Sequence, residues 1–193
     1  MSEVTGLVLA GGQGSRMGGV DKGLTPLQGR PLVAHVIERF APQVDEILVN
    51  ANRNPEAYAR FGHRVIADDI AGFAGPLAGF ESGLAHAKTP LVATVPCDSP
   101  FLPADLVARL RAALEAAGAD LAVAKTGEQP HPVFCLMRRG VHASLRDFLS
   151  SGQRKIDKWY AALDVVEVSF DDEAEAFANI NTRDELAGLE KPT

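Results

Sequence analysis

Short, almost continuously apolar runs alternating with helix-patterned segments constrain this chain more than any other feature. Residues 4–10 form the first such run and end in glycines, as a parallel strand buried on both faces reads. Comparable runs at 46–51, 64–67, 91–95, 121–124, 133–137 and 165–170 predict further strands. Between them the spacing turns helical. Residues 31–40 place Leu32, Val36 and Phe40 on one stripe, and 55–61 form a short helix opened by a proline. Residues 77–87, 141–149 and 155–162 read as helices too. In 103–117, Leu106, Val107, Leu110 and Leu114 share a face, and Gly118 can stop the helix. Helical crossovers are what parallel pairing requires, so the expected fold is α/β, a three-layer α/β/α sandwich with a mainly parallel sheet. Such sheets bind ligands beyond the carboxyl ends of their strands.

At 193 residues, with no Pro/Gly-rich linker, the chain is expected to form a single domain with its own core. Its 46% apolar and 23% charged residues are those of an ordinary globular protein. No apolar run approaches the roughly 18 residues of a membrane span. Met1-Ser2-Glu3-Val4 carries no basic segment of a secretory signal, and Cys97 and Cys135 lack metal-ligand spacing, so a cytoplasmic protein is expected. The formal net charge of −6 disfavours nucleic acid as a partner. Charge is uneven, however. Arg138, Arg139, Arg146, Arg154, Lys155 and Lys158 face only Asp147 and Asp157, whereas seven acidic residues between Asp171 and Glu190 face Arg183 alone. The basic stretch reads either as solvated helix faces or as a site for an anion.

The residues at the strand ends carry the chemistry. After the first strand the chain reads Leu9-Ala10-Gly11-Gly12-Gln13-Gly14-Ser15-Arg16-Met17-Gly18-Gly19-Val20-Asp21-Lys22, with five glycines between positions 11 and 19. Glycines permit tight turns whose N–H groups can face a phosphate chain, and Arg16 and Lys22 stand on the arms of the loop. Neither common phosphate template fits. Lys22 lies three residues past Gly19 without a hydroxyl neighbour, and the dinucleotide fingerprint fails at Met17. Asp98, after the fourth strand, can ligate Mg²⁺ or cap a turn in Asp98-Ser99-Pro100. Asp68 and Asp69 end the third strand, and Asn50 and Asn52 end the second, where an amide pair could read a base or sugar edge. Cys97 reads as an inert buried thiol, and His35 and His86 as packing or surface residues. His131, between Pro130 and Pro132, sits in a rigid turn that could project it into a site.

In order, these motifs resemble the molybdenum cofactor guanylyltransferase family, over nearly the whole chain. The resemblance rests on Leu9-Ala10-Gly11-Gly12, Arg16-Met17-Gly18, Asp21-Lys22, Asn50-Ala51-Asn52-Arg53 and Gly75-Pro76-Leu77-Ala78-Gly79. It continues through Pro96-Cys97-Asp98-Ser99-Pro100, Gln129-Pro130-His131-Pro132-Val133 and Asn179-Ile180-Asn181-Thr182. Gly14 departs from it, since the family often carries serine there. The resemblance implies a Rossmann-like nucleotidyltransferase that moves GMP from Mg-GTP to molybdopterin, with Mg²⁺ as cofactor. It assigns GTP to Leu9, Ala10, Gly11, Gly12, Lys22, Asn50, Asp68 and Asp98, Mg²⁺ to Asp98, and catalysis to Arg16, Lys22 and Asp98, with Arg16, Lys22 and the Mg²⁺ held by Asp98 neutralising the reacting phosphates. His131, Arg154, Lys155, Asn179 and Asn181 correspond to the pterin side. Leu-Ala-Gly-Gly, where cytidylyl relatives read Leu-Ala-Ala-Gly, points to guanine. Cytidylyl or sugar-phosphate nucleotidyl transfer, and a GTP-binding module that delivers cofactor, are the competing readings. Transient contact with molybdoenzymes or other cofactor-biosynthesis proteins is also expected.

Overall fold

The apolar runs become the strands of one seven-stranded sheet. A computed structural model describes residues 3–11, 21–72 and 75–180. The strands are β1 (Val4–Leu9), β4 (Glu46–Asn50), β5 (Arg64–Ile66), β6 (Leu91–Pro96), β7 (Leu121–Thr126), β8 (Gln129–Arg138) and β9 (Val165–Ser169), in spatial order β5-β4-β1-β6-β8-β7-β9. β1 pairs in parallel with both β4 and β6, β4 with β5, and β7 with β9. Only β8, among the described strands of this sheet, runs against its neighbours, because a tight hairpin joins it to β7. Gly127, in that hairpin's turn, takes φ +54.

Alternation along the strands divides the interior into two layers. Val4 and Val8 of β1 pack with α1 (Leu32–Phe40), α2 (Pro55–Ala59) and α4 (Leu106–Ala117) through Val36, Phe40, Tyr58, Leu106 and Leu110. Leu7 points the other way, toward α3 (Pro76–His86), α5 (His142–Ser150) and α6 (Ile156–Tyr160), where Phe80, Leu84, Leu145, Leu149 and Trp159 form the second layer. The sandwich is therefore three layers deep, as expected. No helix among the described residues is long and apolar enough to cross a membrane, and Cys97 and Cys135 are buried free thiols.

Several boundaries differ from expectation for identifiable reasons. The helix expected from Pro31 starts at Leu32, because Pro31 belongs to a small hairpin of β2 (Pro26–Leu27) and β3 (Arg30–Pro31). Gln28 and Gly29 close that hairpin with φ 50 and 76, the positive pair a two-residue primed turn needs. The helix expected from residue 103 begins at Leu106, the Pro103 carbonyl instead accepting N–H groups from Leu106 and the Gln43 side chain. β8 begins four residues before the expected 133. Ala124 pairs with His131 but Val123 with Cys135, so Pro132, Val133 and Phe134 bulge out of the ladder. A bulge is where a sheet tolerates proline. His131 thus lies in a strand and not in a rigid turn.

The basic stretch also divides. Arg138 donates to the Ala119 carbonyl at 2.8 Å and Arg139 to that of Leu84, at the edge where the parallel strands begin. Arg146 approaches buried Glu81, which also accepts from His142 at 2.9 Å. In the acidic stretch, Asp171 accepts the Gly127 N–H and Asp172 pairs with Arg109 at 2.9 Å.

Candidate active site at the carboxyl ends of β1 and β6

Chain leaving β1 crosses by α1 to β4, while chain leaving β5 crosses by α3, on the opposite face, to β6. Between β1 and β6 the crossovers diverge, and a crevice opens above their carboxyl ends. A cavity of about 730 Å³ lies there. Leu9, Ala10, Gly11, Lys22, Asn50, Asp68, Asp98 and Asn179, eight of the sequence-predicted residues, line it. Gly12, Arg16 and Asn181 lie outside the described residues. A second cavity of about 500 Å³ sits at the opposite edge beside Glu3, Asp45 and Arg111. Its charges are taken up locally: Arg111 pairs with Glu115 and Glu3, and Asp45 accepts the N–H groups of Glu3 and Val4.

Two polar clusters build the walls of the larger cavity. On the β4–β5 side, Asp68 accepts the Asn50 amide on one oxygen and the Asn52 amide on the other, each at 2.9 Å, and its N–H donates to Asn52 Oδ1. Asn50 is buried, so this triad fixes the orientation of its amide. Helix α3 presses against the same wall: a Cβ on Gly79 would stand 2.6 Å from both Asn50 Oδ1 and Leu9 Cδ2. On the β6 side, Lys22 Nζ lies 3.6 Å from Asp98 Oδ2. Burial pushes the Asp98 carboxyl above the usual carboxylate range, and the Lys22 charge offsets only part of that. The Cys97 thiol beside it is pushed well up by the same burial, which makes it inert.

The far end of the described chain closes onto Asp98. The Ile180 N–H donates to the Asp98 carbonyl at 3.0 Å, and Ser99 Oγ donates to Asn179 Oδ1. Asn179 thereby reaches the cavity from 80 residues away in sequence. The other pterin-side candidates do not line it. His131 stacks on Phe177 with centroids 4.6 Å apart, bonds Thr126 Oγ1, and has its pKa lowered by burial. Arg154 and Lys155 lie between α5 and α6. Arg154 donates to the carbonyls of Leu149 and Gln153. Asp69 turns outward to His86.

Sequence reasoning left Asp21 and Tyr58 without a role. Asp21 lines the cavity and accepts a hydrogen bond from the Tyr58 hydroxyl. The available signal was an acid directly before Lys22 at the end of the glycine-rich stretch.

Asp98 fits a hard cation. Mg²⁺ binds through one or two carboxylates plus substrate phosphates and waters, and here one buried carboxylate faces a cavity large enough for a nucleotide. Among the described residues no group of three or more His, Cys, Asp or Glu is arranged to hold a metal ion.

A Rossmann-like sheet with a Lys22–Asp98 pair in the crevice at the carboxyl ends of its strands is the arrangement of a nucleotidyltransferase. The profile of the MobA-like NTP transferase domain matches residues 6–166. The chain belongs to the molybdenum cofactor guanylyltransferase family. It is 56% identical over 189 residues to the molybdenum cofactor guanylyltransferase of Cupriavidus necator, covering 95% of this chain and 94% of that one. It is 50% identical to the protein of that name from Shewanella amazonensis, covering 97% and 96%. Among solved structures, molybdopterin-guanine dinucleotide biosynthesis protein A from Archaeoglobus fulgidus superposes with TM-score 0.81 at 27% identity, over 96% of each chain. The bifunctional IspDF of Campylobacter jejuni shares the fold alone, at 15% identity and TM-score 0.75, over 98% of this chain and 55% of that one.

Proposed function

We propose that this protein transfers GMP from Mg-GTP to the phosphate of molybdopterin, in a single domain whose N-terminal part holds the nucleotide and whose C-terminal part holds the pterin. The observation that carries this reading is the meeting of Leu9–Gly11, Lys22, Asn50, Asp68 and Asp98 in one cavity at the switch point of the sheet. The family to which the chain belongs supports it.

In this reading Leu9, Ala10, Gly11, Gly12, Asn50 and Asp68 hold the nucleoside end of GTP. Asp98 holds Mg²⁺, which when bound offsets charge on the triphosphate and on departing pyrophosphate. Lys22 and Arg16 neutralise the phosphates directly. An oxygen of the acceptor phosphate attacks the α-phosphorus, the α–β bridging P–O bond breaks, and pyrophosphate leaves. A phosphate monoester has a second pKa of about 6, so the nucleophile is ionised at neutral pH without a side-chain base. What the protein must overcome is repulsion between anions, and Lys22 and Arg16, with the cation that Asp98 would hold, offset it. Asn179, Asn181, His131, Arg154 and Lys155 serve the acceptor. The protein works in the cytoplasm and passes its product on through transient contact with molybdoenzymes or other cofactor-biosynthesis proteins.

Incubation with Mg²⁺, molybdopterin and each nucleoside triphosphate in turn, with pyrophosphate as readout, tests this directly. Release with GTP far above that with CTP, ATP or UTP is expected, because a site built for one base edge leaves buried polar groups unpaired with another. Equal turnover of CTP would overturn the guanine assignment. GTP binding without pyrophosphate release would favour a delivery module.

A further inference from the structure

The cavity contains a carboxylate to which the proposed reaction gives no task. Asp21 is a carboxylate lining a space assigned to a triphosphate, directly before the lysine that must meet it. Both of its oxygens are turned to α2: Oδ1 accepts the Tyr58 hydroxyl, and Oδ2 accepts the Asn54 amide at 3.1 Å.

Neither donor has another evident task. Tyr58 is fully buried, and a buried phenol needs a partner. Burial and the neighbouring Cys97 and Asp21 push its pKa well up, so it remains a donor. Asn54 occupies the N-cap position of α2 with φ 50 yet makes no capping bond. Asparagine tolerates this left-handed conformation, but glycine adopts it more easily. The amide is therefore used on Asp21 and not on its own helix.

These bonds set the path of the next residues. The Leu24 and Thr25 N–H groups donate to the carbonyls of Asp21 and Lys22, making a single tight turn over Lys22–Leu24. A Cβ on Gly23 would come within 2.5 Å of the Tyr58 oxygen and 3.2 Å of Cys97. The turn is thus seated against α2 on one side and the end of β6 on the other, and Lys22 emerges beside Asp98.

We propose that Tyr58 and Asn54, acting through Asp21, are positioning residues that aim Lys22 at the triphosphate of the nucleotide. The proposal rests on the reading of this cavity as the GTP site. It assigns the two residues no contact with substrate.

Calorimetric titration of Mg-GTP into the full-length wild type, Tyr58→Phe, Asn54→Gly, Lys22→Ala and the double variants with Lys22→Ala tests it. Tyr58→Phe keeps the buried ring, and Asn54→Gly suits the backbone, so both are expected to fold. Each should weaken Kd about tenfold, the scale of one lost hydrogen bond to a charged group. In the Lys22→Ala background the same changes should cost less than about twofold, because residues that act through one partner are not additive. Wild-type affinity in Tyr58→Phe and Asn54→Gly, or a full tenfold loss persisting without Lys22, would overturn the positioning role. Failure of the wild type itself to bind Mg-GTP would instead overturn the reading of the cavity, and the proposal with it.

Discussion

The two halves of the sheet use their charged residues in opposite ways. Around the carboxyl ends of β1, β4, β5 and β6, polar side chains bond one another and line a cavity: Asn50 and Asn52 with Asp68, Lys22 with Asp98. Around β7, β8 and α5 several satisfy main-chain groups, and others pair with side chains away from the cavity, as Asp172 does with Arg109 and His142 with Glu81. Arg138 and Arg139 serve the carbonyls of Ala119 and Leu84, and Asp171 serves the Gly127 N–H. Density of charge in sequence therefore does not by itself mark a site. What marks one is charge held against other side chains at a place the chain topology leaves open.

The sharpest break in this comparison comes from Asp98→Asn. It keeps size and one acceptor oxygen but loses the charge, and turnover should fall at least about 100-fold. Stability should move the other way. Burial raises the folded-state pKa of Asp98 above the ordinary carboxylate value, so the folded protein holds that proton more tightly than the unfolded chain does. The contribution is greatest while Asp98 is protonated and declines as pH rises from the ordinary carboxylate range through the raised value. Without nucleotide or metal, Asp98→Asn should melt higher than wild type at neutral pH, and thermal melts across pH check this. A lower melting temperature with near-normal turnover would make Asp98 a turn residue.

The basic stretch offers a smaller contrast within the other half. Replacing Arg154 and Lys155 together by alanine should raise the KM for molybdopterin about tenfold, the scale of lost charge-assisted bonds to a phosphate, with the KM for GTP unchanged. Arg138→Ala should lower the melting temperature and leave both KM values alone, because it leaves a carbonyl without its donor. Steady-state kinetics of the two variants side by side separates these outcomes. A rise in the KM for GTP in the double variant would exchange the two half-sites.

Gly79→Ala should show the smallest effect. Its new methyl group meets Asn50 Oδ1 and Leu9 at 2.6 Å, so α3 must retreat at a cost of about 1–3 kcal/mol. GTP affinity should weaken a few-fold while the KM for molybdopterin stays put, measurable by the same titration.

The layers of the fold were legible because buried parallel strands read as apolar runs. Leu7 and Val8 needed only the alternation of a strand to be sent to opposite layers. Prolines misled at β8: Pro130 and Pro132 argue against a strand, and only the pairing register reveals the bulge that accommodates them. The β2–β3 hairpin was invisible because Gln28 takes a positive φ that its type does not advertise. In the site, residues directly after strands were found, since strand ends are where such sheets bind. Tyr58 was not, because its role depends on a hydrogen bond across 37 residues that no local pattern encodes. Arg154 and Lys155 stood out by charge, yet they do not line the cavity, and Arg154 bonds the carbonyls of Leu149 and Gln153.

Hydrogen exchange with and without Mg-GTP, and with no pterin present, tests the division between the halves most directly. The account predicts slowed exchange in peptides covering 9–11, 21–25, 50–53 and 67–72, with no change across 138–160. Protection centred on 138–160, with those four segments unaffected, would contradict it.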